Sequence, residues 1–249
     1  MYPILFRIGV WNIRASFVFL VLAILAGIFF NTKEAGRVGF SRRDINTYLI
    51  AIIPFALILG FFNGLVIWFG FGGKMRDFLS LFSGGLVSFG VVLGALFMGW
   101  ALATFRKQSA SLLLDVISLS LPLMLAVYRI GCLLNGCCYG LVTNGFLGMY
   151  LPGAGGKWAF RYPTQIIYIV FDLALFIWLL LNRKSRPFEG SLTLAFLLVF
   201  SSGRLAIDTL RDLPHMLGPF SFQQLMSLAI LLVTLYICFE LWMARRARS

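Results

Sequence analysis

Seven stretches of this chain are long and apolar enough to cross a bilayer: residues 13–30, 48–71, 80–105, 111–134, 165–181, 191–210 and 222–243. No other property restricts the fold as much. In hydrocarbon every backbone N–H and C=O must find its partner inside the protein, so only helices and closed barrels span a membrane. None of the seven stretches alternates apolar and polar residues with the two-residue period of a barrel strand. The expectation is therefore an all-α integral membrane protein of seven transmembrane helices. A soluble domain needs roughly a quarter of its residues charged; here 12% are charged and 60% are hydrophobic, which excludes one. No internal repeat, low-complexity run or separate polar segment interrupts the pattern. A single polytopic domain over residues 1–249 follows, with no cleavable signal peptide, since no small-residue cleavage site follows the first apolar run.

The chain carries a formal net charge of +12. That excess does not point to nucleic acid, because the basic residues lie in short connections between the apolar runs, where they bias topology and meet anionic headgroups. Lys33, Arg37, Arg42, Arg43, Arg106, Lys107, Arg183, Lys184, Arg186, Arg245, Arg246 and Arg248 fall on one side of the membrane. Arg7, Arg14, Lys74, Arg76, Lys157, Arg161 and Arg211 fall on the other. The positive-inside bias puts the C-terminus in the cytoplasm and the N-terminus outside.

Two arginines, Arg129 and Arg204, remain within or at the edge of spans, near the outer ends of the fourth and sixth. A charge so placed is expensive and faces a polar cavity or an anion rather than lipid. A guanidinium offers five donors in a fixed fork and suits a phosphodiester. The structural alternative is pairing with the buried carboxylates Asp115, Asp172 or Asp208. Asp208 follows Arg204 by four residues, on the same helix face. Such a pair would leave Arg129 as the better phosphate ligand.

Arg129 opens the densest stretch of the chain, Arg129-Ile130-Gly131-Cys132-Leu133-Leu134-Asn135-Gly136-Cys137-Cys138-Tyr139-Gly140. Its cysteine spacing is not a zinc signature, and the chain has one histidine, so no metal site is expected. The alternatives for Cys132, Cys137 and Cys138 are a disulfide, a reactive thiol beside Arg129, or packing residues. The longest connection, residues 140–162, contains Pro152-Gly153-Ala154-Gly155-Gly156 and is either functional or a solvated loop. Gly84, Gly85, Gly90 and Gly94 would let the third span approach its neighbours closely.

With these residues assembled, the chain resembles the prolipoprotein diacylglyceryl transferase family over nearly its whole length. Residues 128–140 are similar to that family's G-R-x-G-N-F-x-N-G-E-x-x-G signature, matching at Arg129, Gly131, Asn135, Gly136 and Gly140. Asp115 and Pro122 keep their family distances ahead of the arginine. Tyr162-Pro163-Thr164-Gln165 is similar to H-P-S-Q, and residues 202–211 to R-F-x-x-E-x-x-R. Ile13-Arg14 sits where the family reads I-R-W-Y-G. The chain departs from the pattern at Ser16, Phe62, Phe89, Cys132 and Cys137, which stand in place of a tyrosine, an arginine, a histidine, an asparagine and a glutamate.

The resemblance implies a multi-pass protein of the bacterial plasma membrane that needs no cofactor. It implies transfer of the diacylglyceryl group of phosphatidylglycerol to the lipobox cysteine of a prolipoprotein, with that signal-peptide region as second partner. Arg129, Arg204 and Cys137 are then the candidate catalytic residues. Arg129, Asn135, Gly136, Gly140, Arg14 and Arg204 are the candidates for binding the anionic phospholipid. The departures leave as the alternative a phospholipid-binding scaffold or accessory protein that has lost catalysis, and behind it a thiol-redox role for the three clustered cysteines.

Overall fold

The computed structural model describes residues 3–9, 11–70, 88–153, 157–213 and 215–247. Among these, seven helices have membrane-spanning length and hydropathy: α1 (Ala15–Arg37), α2 (Arg42–Gly70), α3 (Ser88–Phe105), α4 (Ala110–Asn135), α5 (Thr164–Asn182), α6 (Ser191–Asp208) and α7 (Phe222–Arg246). Each answers to one of the expected spans. The start of the third span with Gly84 and Gly85, the basic residues Lys74 and Arg76, and residues 154–156 of the Gly-rich stretch lie outside the described residues.

Hydropathy understates the first helix. Its last turns, after Phe30, are polar yet remain helical, and Glu34 and Arg37 there are paired. Glu34 accepts from Arg183 at 2.8 Å and from Arg37 at 3.4 Å, joining α1 to the α5–α6 connection.

The most buried helix is α4, which touches α1, α3, α5 and α6. Glycines set the spacing elsewhere. A Cβ at Gly90 would lie 2.6 Å from the Leu59 carbonyl oxygen, and one at Gly94 3.0 Å from the Ala56 Cα, so α3 rests backbone-to-backbone on α2. Without a hydrophobic drive between helices in lipid, close approach of this kind supplies the packing energy.

Three short antiparallel hairpins punctuate the helices. β1 (Ile4–Ile8) and β2 (Trp11–Arg14) precede α1, and β3 (Met149–Pro152) and β4 (Trp158–Arg161) join α4 to α5. β5 (His215–Leu217) and β6 (Phe220–Ser221) join α6 to α7. Because the helices alternate in direction, all three hairpins lie at one end of the bundle. The described residues of the long connection over residues 140–162 include the β3–β4 pair. On it Tyr150 packs against Trp158 and Phe160 with ring centroids 5.5 and 5.6 Å apart.

The opposite end is held by buried polar contacts. Asp115 of α4 accepts hydrogen bonds from Gly190 N and Thr193 N, each at 2.9 Å, and from the Thr193 hydroxyl at 3.0 Å. Gly190, the residue before α6, has no side chain with which to cap the helix, so Asp115 caps α6 from a neighbouring helix. The Ser118 hydroxyl, 3.2 Å from that of Thr193, extends the chain of contacts.

Candidate functional site

The stretch that follows Arg129 is shaped by its glycines. Gly136 ends α4 in the left-handed conformation, at φ 73°, and donates its N–H back to Cys132 and Leu133. This is the usual glycine C-cap, which a side chain would strain. Cys137 N–H also reaches the Cys132 carbonyl, at 3.2 Å, and Cys138 follows with φ 63°. The chain then folds against the turn after α6. Gly140 pairs with Arg211 in an antiparallel bridge, and Leu141 N donates to Leu210 O at 2.9 Å. A Cβ at Gly140 would collide with the Tyr162 and Leu210 carbonyl oxygens. At Gly131 it would lie 2.8 Å from the Phe19 Cβ and 3.1 Å from the Ser16 Cα, so α1 and α4 meet at that residue.

This scaffold brings Arg129 and Arg204 together around one ring. The guanidinium carbon of Arg129 lies 4.4 Å, and that of Arg204 4.6 Å, from the centre of Tyr168 on α5. Both arginines are buried. Asp208 accepts from the Tyr168 hydroxyl at 2.5 Å and from Arg211 at 3.0 Å, and its other oxygen is 3.8 Å from Arg204 Nε. The anticipated Arg204–Asp208 pair is present. Arg129 has no carboxylate within ion-pair distance among the described residues. Asp172, one helical turn beyond Tyr168, is buried and feels the charges of Arg129 and Arg204; its Oδ1 has no hydrogen-bond partner among the described residues. Among the described residues three guanidiniums thus face two carboxylates, with the Cys138 thiol beside them. Arg129, the guanidinium that no carboxylate engages, suits a monoanion such as a phosphodiester.

Tyr168 was not singled out in the sequence; Asp172 was read there only as a possible partner of the buried arginines, and Arg211 only as a loop charge and the end of the 202–211 stretch. The available signal was spacing: Gln165, Tyr168 and Asp172 stand at i, i+3 and i+7, one polar stripe on an otherwise apolar helix.

All four cysteines are free. Cys132, Cys137 and Cys138 nevertheless converge, with the three sulfurs within 4.8 Å of one another. The turn that carries them is pinned to the start of α5. Gln165 Nε2 donates to the Cys137 carbonyl at 2.9 Å and the Thr164 hydroxyl to the Cys138 carbonyl at 2.8 Å. Hydrogen bonds from Cys132 and Cys137, and then the charges of Arg211 and Arg129, hold the Cys138 thiol well below its ordinary range despite burial. Cys137, the thiol selected from the sequence, points its Sγ at the Cys132 carbonyl, 3.7 Å away. The thiol that feels the arginines is its neighbour.

The remaining sequence candidates are spread out. Asn135 is the last residue of α4 and hydrogen-bonds the Cys137 thiol. Arg14 sits exposed at the start of α1, outside the buried cluster, although the next turn of α1 rests on Gly131. Phe89 is fully buried with its ring centre 4.8 Å from the Arg204 guanidinium carbon, and so forms a wall of the arginine site. Asp115 caps α6 at the far end of the bundle and is not part of the cluster. An apolar cavity of about 70 Å³ lies among α1, α2, α3 and α4; Leu20, Gly27, Ile52, Ala56, Met124 and Tyr128 are among its walls. Tyr128 adjoins Arg129 in sequence.

Comparison with known proteins places this architecture. The family model for prolipoprotein diacylglyceryl transferase matches residues 3–240. This chain belongs to that family. It is 29% identical over 212 residues to the phosphatidylglycerol–prolipoprotein diacylglyceryl transferase of Clostridioides difficile (strain 630), covering 85% of this chain and 84% of the relative. With the enzyme of the same name from Geobacter sulfurreducens it shares 28% identity over 243 residues, 94% and 92% of the two chains. A third relative, phosphatidylglycerol–prolipoprotein diacylglyceryl transferase 2 of Clostridium perfringens (strain 13 / Type A), is 34% identical over 158 residues, covering 61% and 60%. Within the family signature the retained glycines therefore have structural tasks here: Gly131 admits α1, Gly136 ends α4 and Gly140 admits the turn after α6.

Proposed function

We propose that this protein transfers the diacylglyceryl group of phosphatidylglycerol to the lipobox cysteine of a prolipoprotein in the bacterial plasma membrane. Family membership over residues 3–240 supports the reaction class. The observation that carries the reading to particular atoms is the buried Arg129 guanidinium, free of any carboxylate within ion-pair distance among the described residues and set beside Arg204 on the Tyr168 ring.

In this reading the phosphodiester of phosphatidylglycerol docks on Arg129, and its acyl chains extend toward the apolar cavity between α1 and α4. Arg204, neutralised by Asp208 and boxed by Tyr168, Phe89 and Phe200, holds the electrostatics of the site rather than the ligand. The sulfur of the incoming cysteine attacks the glyceryl carbon that bears the phosphate. The C–S bond forms as the C–O bond breaks, and glycerol phosphate leaves with the bonding pair. Arg129 stabilises the charge that accumulates on the departing phosphate, which is where fixed donors in a dry site act most strongly. The thiol proton passes to Asp172, whose Oδ1 has no hydrogen-bond partner among the described residues. Asp172 then supplies the proton acceptor that Phe89, Cys132 and Cys137 do not. The loop charge bias supports an orientation with the hairpin end, and hence this site, on the outer face.

Reconstitution with phosphatidylglycerol labelled in its acyl chains and a lipobox peptide tests the reading. Wild-type protein is expected to yield lipidated peptide and free glycerol phosphate. Arg129→Lys keeps the charge but loses the fork, and is expected to lose most activity, with Arg129→Ala losing all of it. Transfer that survives both changes would remove Arg129 from the mechanism. Phospholipid retention without transfer by well-folded wild type would favour the catalytically lapsed alternative.

A further inference from the structure

The three thiols at the end of α4 are brought together by folding rather than by sequence spacing. In a continuing helix Cys137 and Cys138 would project away along the axis from Cys132. The reversal at Gly136 and the positive φ of Cys138 instead turn them back, until all three sulfurs lie within 4.8 Å of one another. Cys132 is buried and the other two are half-buried. Their backbone is fixed by the capped helix end and by the Gln165 and Thr164 hydrogen bonds from α5. Such support is what keeps metal ligands in place before a metal arrives.

We propose that Cys132, Cys137 and Cys138 form a binding site for one soft, thiophilic d¹⁰ metal ion, of the class of Cu(I) or Zn(II). Thiolate ligands select these ions over hard cations. A metal–sulfur bond of about 2.3 Å puts the sulfurs of a trigonal site about 4 Å apart, so side-chain rotation of about 1 Å closes the cluster. Three thiolates complete trigonal coordination of Cu(I); on Zn(II) they leave a fourth position for water. Binding releases the thiol protons to solvent and leaves the metal–thiolate group negatively charged. The positive charges of Arg129 and Arg211, which act on Cys138, offset part of it. Separation of the three cysteines by four residues and none explains why the sequence shows no metal signature: the site exists only once the helix has ended.

The test uses reduced, detergent-solubilised full-length protein and reads metal, not transfer, so it stands apart from the proposed reaction. Cu(I) in one arm and Zn(II) in the other are added under reductant, in competition with a chromogenic chelator, and retained metal is counted after gel filtration. One equivalent per chain in either arm is expected, and the arm that retains it identifies the ion. Cys238→Ser, on α7 away from the cluster, is expected to retain it fully; Cys132→Ser and Cys138→Ser are expected to lose at least tenfold in affinity. Should those variants fail to fold, alkylation of the unmutated protein decides. Bound metal is expected to slow modification of three of the four cysteines, leaving Cys238 unchanged. Sub-stoichiometric retention in both arms, or alkylation unaffected by metal, overturns the proposal.

Discussion

Replacing Asp115 by alanine separates structure from chemistry in this bundle. Asp115 keeps its family distance from the signature arginine, which invites a catalytic role, yet it caps α6 at the end opposite the arginine cluster. Its removal deletes the acceptor of three hydrogen bonds, of 2.9, 2.9 and 3.0 Å. Loss of a helix cap costs about 0.5–2 kcal/mol. Stranding the buried Thr193 N–H adds about 1–3 kcal/mol, while half-exposed Gly190 recovers water. The Thr193 hydroxyl keeps Ser118 as a neighbour and adds little. The expected loss is therefore about 1.5–5 kcal/mol, roughly ten- to four-thousand-fold in the folded-to-unfolded ratio. Asp115→Asn keeps one oxygen for Thr193 but turns an amide N–H₂ toward Gly190, so it falls between. SDS titration in mixed micelles, followed by helicity, measures the change, and transfer per folded molecule is measured on the monodisperse fraction. A variant as stable as wild type, or one equally stable but inactive, would refute the capping role.

Gly140→Ala is expected to abolish function or accumulation, since its Cβ meets the Tyr162 and Leu210 carbonyls; normal expression and activity would show that the turn can widen. A reporter fused after Ser249 is expected to read as cytoplasmic, and a periplasmic reading would invert the orientation. Cys138 is held below the ordinary thiol range of about 8.5, with Cys132, Cys137, Arg211 and Arg129 around it. Its charge therefore contributes stability that is fully present above that range and is lost as pH falls through the lowered value. The thiolate ultraviolet absorbance of reduced protein should show one group titrating early, missing from Cys138→Ser; absorbance that rises only in the ordinary range would contradict this.

The seven spans were legible because hydrocarbon leaves an apolar run of that length one economical conformation. Their polar ends were not: the last turns of α1 carry Glu34, whose partner Arg183 is far away in sequence. Arg129 and Arg204 announced themselves as charges in apolar surroundings, and the i,i+4 spacing correctly tied Arg204 to Asp208. That Arg129 and Arg204 would share a ring required knowing which face of α5 turns inward, and Tyr168 reads in sequence as one more aromatic. That the three cysteines converge was not legible, for a definite reason. Their convergence depends on the backbone reversal at Gly136 and Cys138, and spacing rules for metal ligands describe continuous elements or paired knuckles, not a helix end folding back on itself. Phe89 reads as a lost histidine in sequence and as a wall around Arg204 in three dimensions.

The position of α7 bears on how the protein is made. This helix leans chiefly on α6, and every member of the arginine cluster belongs to α4, α5, α6 or the turn after α6. A ribosome therefore delivers Arg129, Tyr168, Asp172, Arg204, Asp208 and Arg211 before it begins α7. The desolvated charges can neutralise one another as soon as the sixth helix leaves the insertion machinery. The seventh arrives as a late outer stave, clamped by the Ser221–Gln224 capping box at the hairpin end. A nascent chain arrested before Phe222 would already hold the complete set of buried charges.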